Sequence, residues 1–232
     1  AAAPKVAAVA LVARVLYGPV AALDDQWRMA VAALAAISMV WGSLAALMQT
    51  NLKRLMAYSS IGNMGFALMG LASGGAEGAS SALVYLTLYL PATIGVFALI
   101  LAMRRDGAPA ETVADLAGLA KRQPWMAGLY TMLLFSVAGI PPFAGFFGKW
   151  VVFRAAIDAG LIWLAIVGAI AAVIAAVYYL RLMASIWFSA PAPAFQPASG
   201  PVMVTATLAA ALTFPVLVVL LGVLARSAEL AA

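Results

Sequence analysis

The sequence predicts an all-α protein: a polytopic membrane helix bundle of about seven transmembrane helices, one of them discontinuous at Pro141-Pro142. Three observations lead there. Hydrophobic residues make up 66% of the 232 and charged residues 9%, with a mean hydropathy of +1.08, whereas soluble domains run about 45–50% apolar and about 25% charged. Seven stretches meet or approach the roughly 20 apolar residues that a span requires, at 2–20, 29–48, 55–73, 79–103, 126–156, 160–185 and 201–225. Between them lie connectors rich in Gly, Pro and charge, none large enough for a soluble domain, so residues 1–232 read as a single membrane domain.

The first stretch carries Lys5 and Arg14, and the chain opens without Met or a basic leader; a piece of a longer polypeptide is expected. GPVAALDDQWR and QTNLKR bound the second. The third, LMAYSSIGNMGFALMGLA, contains Ser59, Ser60 and Asn63, with Ser59 and Asn63 on one helix face. In the fourth, Tyr85 and Tyr89 repeat that spacing ahead of Pro91 and Thr93. Each of these polar groups can simply join helices together, and collectively they can support a file of water. Met and Phe stripes read as ordinary packing. The 104–125 connector is long enough for a short surface helix, with Glu111 and Asp115 near its start and Lys121 and Arg122 at its end, as the helix dipole favours.

Alternating the connectors places Lys53, Arg54, Arg104, Arg105, Lys121 and Arg122 on one side, which the positive-inside rule makes cytoplasmic; the C-terminus is then periplasmic. A surface facing lipid excludes nucleic acid as a partner despite the net charge of +5. With no Cys and no His, the usual ligands of haem and iron–sulfur clusters are missing.

The fifth stretch contains AGIPPFAGFFGKWVVF, residues 138–153. Prolines 141 and 142 lack N–H groups, so the carbonyls of Val137 and Ala138 lose their helical partners and something polar must replace them. Broken helices at membrane depth survive when buried in protein or lining water, and they recur at ion sites. Gly139, Gly145 and Gly148 allow close approach there. Lys149 follows the break, inside a second half-helix, where a charge costs about 2.5–3.5 kcal/mol on insertion scales unless it meets a polar partner. All eight carboxylates fall in connectors or near segment ends, so no anion is placed to neutralise it. A buried lysine can give up its proton when its surroundings change, which is relay chemistry. Arg154, Arg181 and Arg226 read instead as snorkelling residues.

APKVAAVALVARVLY (3–17), QTNLKRLMAYSSIGNMGFALMGLA (49–72), FSVAGIPPFAGFFGKWVVFRAA (135–156) and YYLR (178–181) together resemble the antiporter-like N subunit of proton-pumping NADH:quinone oxidoreductase, respiratory complex I. That family has fourteen spans in two inverted repeats, and this chain resembles spans eight to fourteen. The resemblance implies that Lys5 matches the central-axis lysine of span eight and Lys149 the lysine of discontinuous span twelve. Both would act in a proton relay, supported by Pro141, Pro142, Gly145, Ser59, Ser60, Asn63, Tyr85 and Tyr89. It implies a non-redox translocase subunit in a bacterial inner membrane, with no cofactor or metal of its own. FMN, iron–sulfur clusters and quinone are expected in partner subunits, and a neighbouring antiporter-like subunit, other membrane-arm subunits and lipid as partners. Asn63 departs from the pattern, since many relatives have histidine there. M-type sister subunits tend to carry glutamate where Lys149 stands, and L-type subunits add a long lateral helix that this chain lacks after residue 225. The D-type subunit of multisubunit sodium/proton antiporters also has a lysine after its proline break and is the alternative.

Overall fold

The computed structural model describes residues 3–214. Its helices follow the apolar stretches: α1 (Ala3–Leu16), α2 (Asp24–Leu47), α3 (Leu52–Ala72), α4 (Gly75–Ala102), the short α5 (Leu119–Arg122), α6 (Pro124–Ala138), α7 (Ala144–Asp158), α8 (Ile162–Phe188) and α9 (Gly200–Leu212). Four of them, α2, α3, α4 and α8, are long and apolar enough to cross a membrane. The chain is an all-α membrane helix bundle. Of the stretch 201–225, the part beyond residue 214 lies outside the described residues, as do Arg226 and Glu229.

Helices α3 and α4 are the most enclosed and hold the centre. They pack against one another, with α2 against α3, α6, α7 and α9 against α4, and α8 across α2 and α6. Small residues set these distances. A side chain at Gly42 of α2 would fall 2.4 Å from the backbone nitrogen of Gly62 on α3, so the two backbones touch there. Large apolar side chains such as Trp41, Ile166, Ile170 and Val173 point outward, the inverse of a soluble protein and what lipid requires.

Helix ends are closed by specific groups. Asn51 caps α3, its side chain accepting from Arg54 N–H at 3.0 Å. At the other end of α3, the Arg28 guanidinium donates to Ala72 O at 3.1 Å and Ser73 O at 2.8 Å, and the Tyr17 hydroxyl donates to Leu71 O at 2.7 Å. A cation on the last carbonyls is where the helix dipole favours one.

The 104–125 connector departs from the single surface helix expected of it. A two-stranded hairpin, β1 (Arg104–Arg105) with β2 (Ala108–Pro109), turns at Asp106 and Gly107, both at positive φ. A turn of 3-10 helix follows at Val113–Leu116, closed by a capping box between Thr112 and Asp115. Only α5 is α-helical, with Lys121 and Arg122 in its last turn. Helix cannot run through Gly107 and Pro109, and Gly118, at φ 60°, ends the preceding turn where a side chain would strike Pro191. The segment is pinned instead by side chains: Glu111 receives Lys53, and Asp115 receives Arg105.

Candidate functional site

The fifth stretch breaks where its two prolines stand. α6 ends at Ala138, Gly139 takes the left-handed conformation (φ 85°), and α7 starts at Ala144. The N–H groups of Gly139 and Ile140 close back on Phe135 and Ser136, which leaves the carbonyls of Val137 and Ala138, buried, in need of donors. Lys149 supplies them. Its Nζ donates to Ala138 O at 2.7 Å and to Val137 O at 3.4 Å, and the residue is 6% exposed. The polar group that the break demanded is therefore the cation that the second half-helix carries. Carbonyls at a helix C-terminus carry the negative end of its dipole, so the ammonium sits against a partial counter-charge, with no carboxylate paired to it among the described residues.

Close backbone contact makes this reach possible. A side chain on Gly145 would lie 1.8 Å from Ser136 O, so the first turn of α7 rests directly on the last turn of α6, and Gly145 N–H donates to the Ser136 hydroxyl at 3.3 Å. Gly148 leaves room for Tyr85, and Gly139 for the Lys149 stem. Above the ammonium lies the ring of Phe66, its centre 5.0 Å from Nζ, in range of a cation–π contact.

On α3 and α4 the sequence-selected polar residues gather in two neighbouring groups. Tyr85 donates to Asn63 Oδ1 at 2.9 Å; Asn63 Nδ2 donates to Ser59 O at 2.9 Å and lies 3.3 Å from Ser59 Oγ; Ser59 Oγ is hydrogen-bonded to the Tyr179 hydroxyl of α8. In the second group, Lys5 of α1 donates to Ser60 Oγ, and nearby on α4 the Thr93 hydroxyl donates to Tyr89 O at 3.1 Å. Stacked rings of Tyr85 and Tyr89, 5.9 Å apart, join the two groups. Lys5 is half-buried, on the thinly attached α1.

Arg154 pairs with Asp158 at 3.4 Å, exposed at the end of α7, and Arg181 reaches Gln49 O at 3.1 Å. Among the described residues, no three of His, Cys, Asp and Glu gather in a metal-holding group.

A family profile described as NADH:quinone oxidoreductase/Mrp antiporter, transmembrane, matches residues 1–175. The chain belongs to this family. NADH-quinone oxidoreductase subunit N of Rhodospirillum rubrum is 49% identical over 201 residues, covering 87% of this chain and 41% of the relative. The chain thus spans less than half the length of the curated relatives it matches. Among solved structures it is similar to respiratory complex I from Thermus thermophilus with bound Aureothin (TM-score 0.71, 31% identity, 80% of this chain and 42% of that one). It is also similar to the Mrp complex from Dietzia sp. (TM-score 0.74, 26% identity, 82% and 35%).

Two residues in this site carry more than the sequence reading gave them. Tyr179, one half of the YYLR motif's tyrosine pair, is fully buried and completes the Ser59–Asn63 group; its place two residues before Arg181, on a long apolar helix, was the available signal. Phe66, read as packing, faces a cation. Its offset of three from Asn63 sets both on one side of α3, but nothing local announces where Lys149 folds back.

Proposed function

We propose that this chain is the C-terminal half of a proton-translocating membrane subunit of NADH:quinone oxidoreductase, with Lys149 as a proton-exchanging group and Lys5 as a second relay station. One observation carries the reading: the Lys149 ammonium is buried and, among the described residues, held by neutral partners, two carbonyls and a ring, at a helix break inside the bundle. A lysine so held can lose its proton without leaving an orphaned anion behind. Ser59, Ser60, Asn63, Tyr85 and Tyr89 are the polar lining between the two lysines, and the break at Pro141 to Gly145 is the hinge that admits water. Redox chemistry with FMN, iron–sulfur clusters and quinone belongs to partner subunits, reached through neighbouring membrane-arm subunits in a bacterial inner membrane. The connectors bearing Lys53, Arg104, Arg105, Lys121 and Arg122 face the cytoplasm and the C-terminus the periplasm. Moving one charge against 100 mV costs about 2.3 kcal/mol, so the two stations must not be connected at all times.

The test uses the full-length subunit assembled in its complex. Lys149→Met abolishes or strongly reduces proton pumping per NADH oxidised, and Lys149→Arg does the same, because a guanidinium keeps its proton. Pumping at the normal ratio in both variants overturns the assignment. The second reading, a D-type subunit of a multisubunit sodium/proton antiporter, draws on the likeness to the Mrp complex. Sodium-dependent proton movement in vesicles without NADH or quinone would favour it.

A further inference from the structure

Phe66 neighbours both the Lys149 ammonium and Tyr85 of the hydrogen-bonded groups on α3 and α4, and we propose that it is a charge-sensitive cover which separates the two. The inference rests on the relay reading of Lys149 above and concerns how that station is closed. Phe66 is 3% exposed and is fixed on three sides: its ring centre lies 5.0 Å from Lys149 Nζ, 6.2 Å from the Tyr85 ring and 5.9 Å from the Phe153 ring of α7. Tyr85 belongs to the polar group, its hydroxyl donating to Asn63 Oδ1 at 2.9 Å. The ring is therefore a neighbour of both the ammonium and the network's Tyr85.

An ammonium has three N–H bonds. Two of these are directed at Ala138 O and Val137 O, and the ring lies within the range at which a cation is drawn to its negative face. That attraction exists only while the lysine is charged. A neutral amine presents a lone pair, which the same face does not attract, so loss of the proton removes one of the contacts fixing Phe66. The cover is closed over a charged lysine and released from a neutral one, which lets the next proton arrive from the Tyr85–Asn63 side only after the last has gone.

Asn63 fixes Tyr85 on the network side of the cover. Its amide nitrogen donates to Ser59 O and its amide oxygen accepts from Tyr85. An amide locked at both ends does not pass a proton along as a hydroxyl can.

Phe66→Leu roughly conserves apolar volume and removes the ring face; Phe66→Ala also removes the seal. Both are made in the full-length subunit, assembled in its complex and reconstituted in vesicles, beside Lys149→Met. For Phe66→Ala, passive proton permeability under an imposed potential without NADH rises several-fold. For Phe66→Leu it stays near wild type while protons pumped per NADH fall, and Phe66→Tyr or Phe66→Trp restores the ratio. Wild-type permeability and wild-type pumping in Phe66→Leu, with Lys149→Met inactive in pumping, overturns the cover and leaves the relay reading standing; normal pumping in Lys149→Met removes the relay reading instead. If Phe66→Ala fails to assemble, the pumping ratio of Phe66→Leu decides alone.

Discussion

Cations in the bundle interior and cations on the 104–125 connector are held in opposite ways. Two cations that pin the connector meet carboxylates: Lys53 of α3 meets Glu111, and Arg105 meets Asp115 while its guanidinium also covers the Phe195 ring. Inside, Lys149 meets two carbonyls and a ring, and Lys5 meets a hydroxyl. The difference concerns what happens when a proton leaves. A lysine paired to a carboxylate is tied to its charge, because deprotonation strands the anion; one seated on neutral acceptors is not. The connector is built to stay charged and hold shape. On the proposed reading, the interior is where charge can come and go.

The seat of Lys149 depends on a backbone contact, and breaking it has the largest expected effect. With a side chain at Gly145 placed 1.8 Å from Ser136 O, Gly145→Ala must push the start of α7 off the end of α6. Overpacking of this kind typically costs about 1–3 kcal/mol, and the displaced ammonium leaves two buried carbonyls unpaired at about 1–3 kcal/mol each. The assembled complex should show a clearly lowered thermal transition and a loss of pumping comparable to Lys149→Met. A Gly145→Ala subunit with unchanged stability and pumping would mean that the α6–α7 contact does not position the lysine. Gly128 is the control, because a side chain there meets nothing within 4 Å, and Gly128→Ala should be neutral on both readouts.

The hydroxyl network comes next in size. Tyr85→Phe strands the Asn63 carbonyl oxygen in a buried site at about 1–3 kcal/mol, whereas Tyr179→Phe removes a partner from Ser59, which keeps Asn63 beside it, at about 0.5–1.5 kcal/mol. Thermal denaturation of the two variant complexes should therefore rank Tyr85→Phe as the more damaging. Equal and negligible losses would show that water already satisfies both groups, which would weaken the distinction between the network and the Lys149 seat.

Much of this arrangement was legible in the residues themselves. Prolines at 141 and 142 break a helix by their own chemistry, whatever surrounds them, and the carbonyls that they orphan can be named by counting back four. By the same logic Pro91 should also have disturbed α4, yet that helix runs through it; one missing N–H is tolerated where a pair is not. The partners of Lys149, by contrast, were not readable, because its side chain turns back toward α6 and the ring above it comes from a helix some 80 residues earlier, roughly a span-and-connector distance of four elements. Tyr179 escaped for the same reason: its hydroxyl matters only once α8 is rotated onto α3. The connector helix failed because local turn chemistry at Gly107, Pro109 and Gly118 outweighed the charge pattern at its ends.

The smallest expected effect sharpens the other side of the comparison. Hydrogen bonding from Lys53 holds the Glu111 carboxyl below its ordinary range. Burial pushes Asp115 up, but hydrogen bonds from Thr112 and Arg105 outweigh it, and the net shift is again downward. Carboxylates depressed in the folded state contribute stability that is present above their unfolded values, about 3.9 for Asp and about 4.3 for Glu, and is lost as pH falls through the folded ones. The connector should therefore stay docked across the neutral range and loosen only below about pH 4. Limited proteolysis of the complex by an acid-active protease, or amide exchange over residues 104–123, reads this directly. Glu111→Gln should bring little change at pH 7, because a solvent-screened pair of this kind adds little to stability. Asp115→Asn should do more, since it also dismantles the capping box with Thr112. Loosening of the connector well above pH 5 would show that a different group governs its docking, and that its ion pairs are no more fixed than the neutral contacts inside.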